Sequence, residues 1–335
     1  MNRRSFLLGM SGVAAASVFS PDLLWASDPL KVSKGSAVVL KVKACGLRDV
    51  GQAKGIMSLD QVETGSFASQ EGISHAPRRI RVVSWNIARG CRLDEIAEFL
   101  VGANADLILL QEVDKYARRS EYRNIAELLA KRLRLNYAFG IEFRELAQGS
   151  RDAPAYHGQA TLSRWPLSDS RVLRFSRQST YWHPRWWIPP LPPFQRRLGG
   201  RMALLCHATI GETTLAVYNL HLESRGGDEL RRSQLAEVFN ETLRRGLDTP
   251  VIVAGDFNFD VTKSGNACVN ETGFQNPFAG LGLRTAQAHY FGRSNTIDWI
   301  LTRGPIAPVS PKIYHSVSAS DHYPLSLTLE LRLAQ

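Results

Sequence analysis

Five strand-like segments of this sequence end in acids, amides or imidazoles: Trp85-Asn86, Gln111-Glu112, Asn219-Leu220-His221, Gly255-Asp256-Phe257-Asn258 and Ser320-Asp321-His322. Ligand sites in layered α/β proteins lie at strand ends, where loops carry polar groups that apolar strands hold in place. A single Asp or Asn at such a place reads as a turn former or helix cap, and a single His as an ordinary core residue. Five such ends in one chain are harder to assign to turns alone. Glu112, Asp256 and Asp321 offer hard oxygen ligands with no matching thiolate set, a donor chemistry that suits Mg²⁺ or Mn²⁺ better than zinc. His221 and His322 add proton-transfer capacity.

The elements that must position these groups follow from the spacing of apolar residues. Ile80 to Trp85 is β-rich, and Leu93, Ile96, Ala97, Leu100 and Val101 then fall at i, i+3, i+4, i+7 and i+8, the stripe of an amphipathic helix. Leu107 to Leu110 is a short continuous apolar run, as expected of a strand covered on both faces, and Ile125, Leu128, Leu129 and Leu133 mark a second helical stripe. Leu215 to Leu220 and Val251 to Ala254 read as buried strands separated by a helix carrying Leu235, Val238, Phe239 and Leu243. Leu325, Leu327, Leu329 and Leu331 alternate with polar residues, so the last strand buries one face. Mixed strands and helices predict a layered α/β fold.

With 335 residues, 44% hydrophobic and 21% charged, the chain has the make-up of a globular protein rather than a disordered, collagenous or coiled-coil one. Layered α/β units reach about 250 residues as one domain, so a single catalytic domain fits the length. The net charge of +10 favours anionic ligands: phosphates, nucleic acid or acidic lipid head groups. Of the basic residues 9 are Lys and 32 Arg, a bias that a GC-rich genome also produces, so charge alone selects no partner. Cys45, Cys91, Cys206 and Cys268 show no CxxC and no paired spacing, which argues against an iron–sulfur centre, a zinc knuckle or a redox dithiol. They read as packing thiols, with a bridge of open pairing allowed in an oxidising compartment.

Residues 1–26 read as an address. Arg3-Arg4 precede Phe6-Leu7-Leu8 and a Gly/Ala/Ser-rich run to Phe19, the order of an export signal. The string NRRSFLLG resembles the twin-arginine signal, which implies passage of the folded protein through the twin-arginine translocase and a periplasmic or otherwise exported location. Pro21 and Asp22 interrupt the apolar run short of the roughly 20 residues a membrane span needs. Ala26 suits a cleavage site while Leu24 and Trp25 before it are bulky, so a retained anchor stays open beside cleavage. Residues 27–78 form an extension with one expected strand, Val38 to Val42, and the catalytic domain is expected over 79–332.

Read together, VVSWNIARG (82–90), LILLQEVD (107–114), GQATLSRWPL (158–167), VYNLHLES (217–224), VIVAGDFNFD (251–260), TIDWIL (296–301) and SDHYPL (320–325) resemble, in order, the motifs of the endonuclease/exonuclease/phosphatase superfamily. The resemblance spans about residues 79–332. It implies a four-layer α/β sandwich, two mixed β-sheets packed face to face with outer helices. It implies that Glu112 is the principal ligand of Mg²⁺ or Mn²⁺, assisted by Asn86 and Asp321. Asp256 and Asn258 match the pair in which the acid orients or deprotonates the attacking water and the amide bonds a phosphate oxygen. Asp298 matches the acid that holds His322, and His221 would contact phosphate or protonate the leaving oxygen. Whether Asp256 or His322 takes the proton stays open.

Two positions depart from the family pattern. Gln159 stands where the GNAxLSR-like block often has Asn, and the mid-chain phosphate-binding Tyr or Arg has no obvious equivalent, although Tyr156, His157 and Arg164 are nearby. The segment 181–194 is particular to this chain: Tyr181, Trp182, Trp186, Trp187 and Phe194 sit among five prolines that forbid a regular helix or central strand. Such a loop grips a membrane interface, stacks on bases, encloses a head group or packs on its own domain. The leading function is therefore an exported metal-dependent phosphoesterase acting on nucleic acid, lipid or a phosphomonoester. The alternative is a non-catalytic phosphate-binding module on the same fold, against which the presence of every catalytic residue type argues. A redox enzyme is disfavoured by the lack of a GxGxxG fingerprint and of any metal–thiolate spacing.

Overall fold

The computed structural model describes residues 55–69, 77–150, 152–179, 181, 187–264, 269, 271–281, 284–287 and 295–331. The expected signal at 1–26 and the expected strand at Val38 to Val42 lie outside the described residues.

Two mixed sheets pack face to face. The first contains β1 (Val62–Gly65), β2 (Arg79–Arg89), β3 (Leu107–Lys115), β4 (Asn136–Glu145), β5 (Ala155–Ser163), β7 (Arg197–Gly199), β12 (Ile306–Ile313) and β13 (Leu325–Leu331). Its order is β1-β4-β5-β3-β2-β13-β12, with β7 paired to β4. The second runs β11-β10-β9-β8-β6, from β6 (Leu167–Arg174), β8 (Met202–Ile210), β9 (Thr213–His221), β10 (Val251–Asp256) and β11 (Asp298–Arg303). Helices α1 (Leu93–Ala103) and α2 (Ile125–Leu133) cover the first sheet, and α3 (Asp228–Leu243) covers the second. This is the four-layer α/β sandwich expected from the motifs.

The period of two along each strand divides the core. Val82, Leu107 and Leu109 join the layer that meets Leu215, Val217, Ile252 and Ile300 of the second sheet, whereas Val83, Trp85, Ile108 and Leu110 turn outward beneath Ile96, Leu100, Ile125 and Leu129 of α1 and α2. Leu325, Leu327, Leu329 and Leu331 all lie in the layer between the sheets. The helical stripes hold except at their margins, where Val101, Leu128 and Leu243 stay exposed because 3.6 residues per turn carries them off the buried face.

Part of the extension is tied to the sandwich. β1 pairs antiparallel with the edge of β4, and Glu63 on it forms an ion pair with buried Lys115 and accepts hydrogen bonds from the Tyr137 hydroxyl at 2.9 Å and the Asn124 amide at 2.8 Å. Among the described cysteines, Cys206 is a buried free thiol packed between the sheets and Cys91 an exposed one. No helix among the described residues is long and apolar enough to cross a membrane.

Candidate active site

Ladder register places three of the expected catalytic residues side by side. Asp256, the last residue of β10, pairs with His221 at the end of β9 on one side and with Asp298 at the start of β11 on the other. On the first sheet, Asn86 and Glu112 lie near the ends of β2 and β3. Asn86 pairs with Gln111, after which the ladder slips before Arg89 meets Val113, and β3 slips against β5 between Leu110 and Val113. Glu112 sits in this irregularity with a left-handed backbone, φ +51°, as do Ala88 at +45° and Arg89 at +72°. Bulges of this kind re-aim a side chain, and a non-glycine residue held there costs on the order of 1 kcal/mol, which surrounding pairing must offset.

The hydrogen bonds converge on the Asp256 carboxylate. Its Oδ2 accepts from the Asn86 amide at 3.1 Å, and lies 3.5 Å from His221 Nε2 and 3.7 Å from His322 Nε2. Its Oδ1 accepts from the Asn258 backbone N–H at 2.9 Å, a turn in which Asn258 has φ +56° and donates its side-chain amide to the Leu222 carbonyl. His322 Nδ1 lies 2.9 and 3.0 Å from the two oxygens of Asp298, and the Asp298 backbone N–H is held by the Thr285 hydroxyl. The loop carrying His322 is pinned to β2: Ser320 Oγ donates to the Asn86 carbonyl at 2.7 Å, and the Trp85 indole donates to the His322 carbonyl at 2.9 Å. Burial works against charge on His322, yet the Asp298 and Asp256 carboxylates beside it raise the imidazole well above its ordinary pKa.

Whether these residues suit a hard cation is decided by their uncommitted oxygens. Among the described residues Glu112 makes no side-chain hydrogen bond, and its ion-pair partner Arg89 stands 3.9 Å away, beyond hydrogen-bond reach. Burial opposes its charge, but His157, His221, Arg89 and His322 hold the carboxyl below the usual carboxylate range. Asp321 is exposed, with one oxygen 3.3 Å from the Ser320 hydroxyl. Asn86 Oδ1 accepts from the Ala88 N–H at 3.1 Å and keeps a second lone pair. A separate close cluster also has ligating atoms within 4.8 Å of one another: Asp256, Asp298 and His322, in which His322 Nδ1 is engaged by Asp298. The donor set is oxygen and imidazole throughout, and it fits a divalent cation.

Two members of the strand-end set have another task. Gln111 is fully buried and donates to the Asn219 side-chain oxygen at 2.7 Å, while the Asn219 amide donates to the carbonyls of Leu110 and Ala160. This pair bolts one sheet to the other just behind the site. Gln159, at the departing position, is also fully buried and donates to the Met202 carbonyl at 3.2 Å.

Sequence reasoning missed Glu142 and Arg201. Glu142 Oε2 lies 3.5 Å from His221 Nδ1, Arg201 forms an ion pair with Glu142, and Arg201 Nη1 lies 2.9 and 3.0 Å from the two His221 ring nitrogens. His221 is thus set between the carboxylates of Glu142 and Asp256. Burial disfavours the Glu142 charge, but Arg201 and His221 hold its carboxyl down at about 2. The signal was present: Glu142 interrupts the apolar run Ala138-Phe139-Gly140-Ile141, and a charge in a doubly covered strand requires a partner. A parallel arrangement fixes His157, whose Nδ1 is 2.8 Å from buried Asp114, itself gripped by Arg119 at 2.7 and 2.8 Å. Of the other mid-chain candidates, the Tyr156 hydroxyl accepts from the Met57 N–H, and Arg164 pairs with Asp106 just before the start of β3, away from Glu112.

Residues 83–322 match the model of the Endonuclease/Exonuclease/phosphatase family. The chain belongs to that family. Its members are usually hydrolases of phosphoester bonds and generally depend on a divalent metal. Solved structures with the same fold include an endonuclease/exonuclease/phosphatase from Beutenbergia cavernae, 18% identical, TM-score 0.57, covering 76% of this chain and 72% of that one. The human Nocturnin catalytic domain with bound sulfate is 19% identical, TM-score 0.55, over 81% of this chain and 97% of that one. Humanized D. rerio TDP2 is 18% identical, TM-score 0.52, over 76% and 99%. No curated protein matches the chain by sequence.

Proposed function

We propose that this family member is an exported, divalent-metal-dependent phosphoesterase that hydrolyses a phosphodiester or phosphomonoester by in-line attack of water. The observation that carries the reading is the Asp256 carboxylate, touched by Asn86 and flanked by His221 at 3.5 Å and by His322 at 3.7 Å, with Asp298 behind His322. Glu112, with Asn86 and Asp321, would hold Mg²⁺ or Mn²⁺, whose charge offsets that developing on the phosphate oxygens. Asp298 fixes the His322 ring so that Nε2 faces Asp256, and a water placed between them meets the Asp256 carboxylate as one proton acceptor and the imidazole, in its neutral form, as another. Asn258 offers its amide to a phosphate oxygen, and His221, oriented by Glu142 and Arg201, contacts phosphate or hands a proton to the leaving oxygen. Nucleic acid and membrane lipid both present such an ester. Purified protein with Mg²⁺ should turn over at least one of bis(p-nitrophenyl) phosphate, plasmid DNA, RNA, phospholipid or inositol phosphates, and EDTA should stop it; no turnover on any of them would leave a binding module.

Export rests on the Arg3-Arg4 pair and the apolar stretch behind it. Replacing both by Lys keeps the charge and removes the guanidinium pair, so the precursor should remain in the cytoplasmic fraction. Unaltered export of that variant would assign another route.

A further inference from the structure

From Ser170 to Gly211 the chain contains seven Arg and no Asp or Glu, and among the described residues Arg171, Arg174, Arg177, Arg197 and Arg201 pair with carboxylates from other parts of the chain. This stretch holds the Trp/Pro-rich loop, and both of its stems are fastened to the rim of the site. Gln178 exchanges hydrogen bonds of 2.8 Å with the Arg201 backbone at both N–H and carbonyl, and the Ser179 N–H donates to Glu223 at 3.2 Å. On the return, β7 pairs with β4, and Arg201 next to it touches His221. The far end of the loop satisfies its own backbone: the Leu191 N–H donates to the Pro189 carbonyl at 2.8 Å, the Phe194 N–H to Leu191 at 3.0 Å, and the Gln195 amide to Ile188 and Pro189. Among the described residues of the loop, these backbone and amide groups are paired within residues 188–195. Tyr181, Trp187, Leu191 and Phe194 are 62, 59, 53 and 60% exposed, a cluster of large apolar side chains on one short segment. Arg196 is exposed beside them, and Arg225 lies over the Tyr181 ring at 4.7 Å.

We propose that this rim is a membrane-docking surface that seats the enzyme on an anionic phospholipid bilayer, with the active site presented to the head groups. Trp and Tyr prefer the depth at which the ring is in acyl chain and the polar tip meets water, and arginine reaches from there to lipid phosphates. Leu191 and the prolines around it distinguish a bilayer from a single-stranded nucleic acid, because aliphatic surface gains from hydrocarbon and offers no platform for a base. The docking itself is independent of catalysis; that the head groups are substrate rests on the hydrolase reading.

Cosedimentation of the whole protein with vesicles of phosphatidylglycerol and phosphatidylcholine, against phosphatidylcholine alone, tests this. Binding to the anionic vesicles is expected, with Trp187→Ser/Phe194→Ser weakening it at least about tenfold and Arg196→Glu weakening it by a smaller factor that high salt abolishes. Bromine-labelled lipid should quench tryptophan emission in the wild type and less in the double variant. Hydrolysis of soluble bis(p-nitrophenyl) phosphate should be the same in wild type and double variant, which also verifies folding. If neither that diester nor any of the other esters named above is turned over while the vesicle result holds, the hydrolase reading falls and the docking surface stands. Equal vesicle binding by wild type and double variant would overturn the proposal. So would a loss seen instead with a single-stranded oligonucleotide, or a wild-type dimer that the double substitution dissociates.

Discussion

Glu112→Gln is expected to lower kcat/KM by roughly a thousandfold or more, about 4 kcal/mol of transition-state stabilisation, in a protein that still folds. The carboxylate is 23% exposed in its side chain and makes no hydrogen bond among the described residues, so the amide gives up no native hydrogen bond. What it gives up is charge. His157, His221, Arg89 and His322 already draw the carboxyl into its ionised form, and a hard cation placed on it adds to the same effect. Gln has nearly the shape of Glu and adapts to the left-handed backbone at this bulge as Glu does, so the unfolding midpoint should fall by a few degrees at most, roughly 1 kcal/mol. Two measurements separate the causes: initial rates on a soluble diester at saturating Mg²⁺, and binding of Mn²⁺ alone followed by electron paramagnetic resonance. Both should fail together. Wild-type rates in this variant would remove Glu112 from the metal site.

The residues behind this prediction were legible because strand ends are marked in sequence. A run such as Leu107 to Leu110 has to be covered on both faces, and the first polar residues after it stand where the ladder turns irregular, although β3 itself continues, largely buried, to Lys115. That reasoning located Asn86, Glu112, His221, Asp256 and His322. It did not distinguish Glu112 from its neighbour Gln111, although one is aimed at the site and the other bolts the sheets together through Asn219. The difference is made by the slip of β3 against both β2 and β5, a property of pairing register that depends on chain segments distant in sequence. Glu142 and Arg201 were illegible for a related cause. They lie 59 residues apart and meet only because β7 folds back onto β4, which brings Arg201 over the Phe143 ring and against His221. The edge strand β1 escaped because four residues are too few for a period of two to stand out.

The Asp298 and His322 pair gives the second large effect and the sharper test of mechanism. His322→Ala removes a ring whose Nε2 lies 3.7 Å from Asp256, and should lower kcat by about 10²–10⁴, the range of a lost general acid or base. Asp298→Asn keeps the shape but turns an acceptor into an amide that can donate to Nδ1, favouring the wrong tautomer and withdrawing the charge that makes the imidazole basic. Its loss should therefore approach that of His322→Ala. If the two act as one unit, the double variant is little worse than the worse single one, because once the imidazole is gone its carboxylate has nothing to orient. Independent contributions would multiply, and a double variant whose loss equals the product of the singles would discard the pairing. Stability must be followed alongside, since His322→Ala leaves Asp298 buried without its partner and Asp298→Asn does not leave a charge. His322→Ala should consequently unfold at lower denaturant than Asp298→Asn, and the double variant should recover part of that loss while recovering none of the rate. A double variant that regains stability but not activity would assign the carboxylate's catalytic effect to its action through His322.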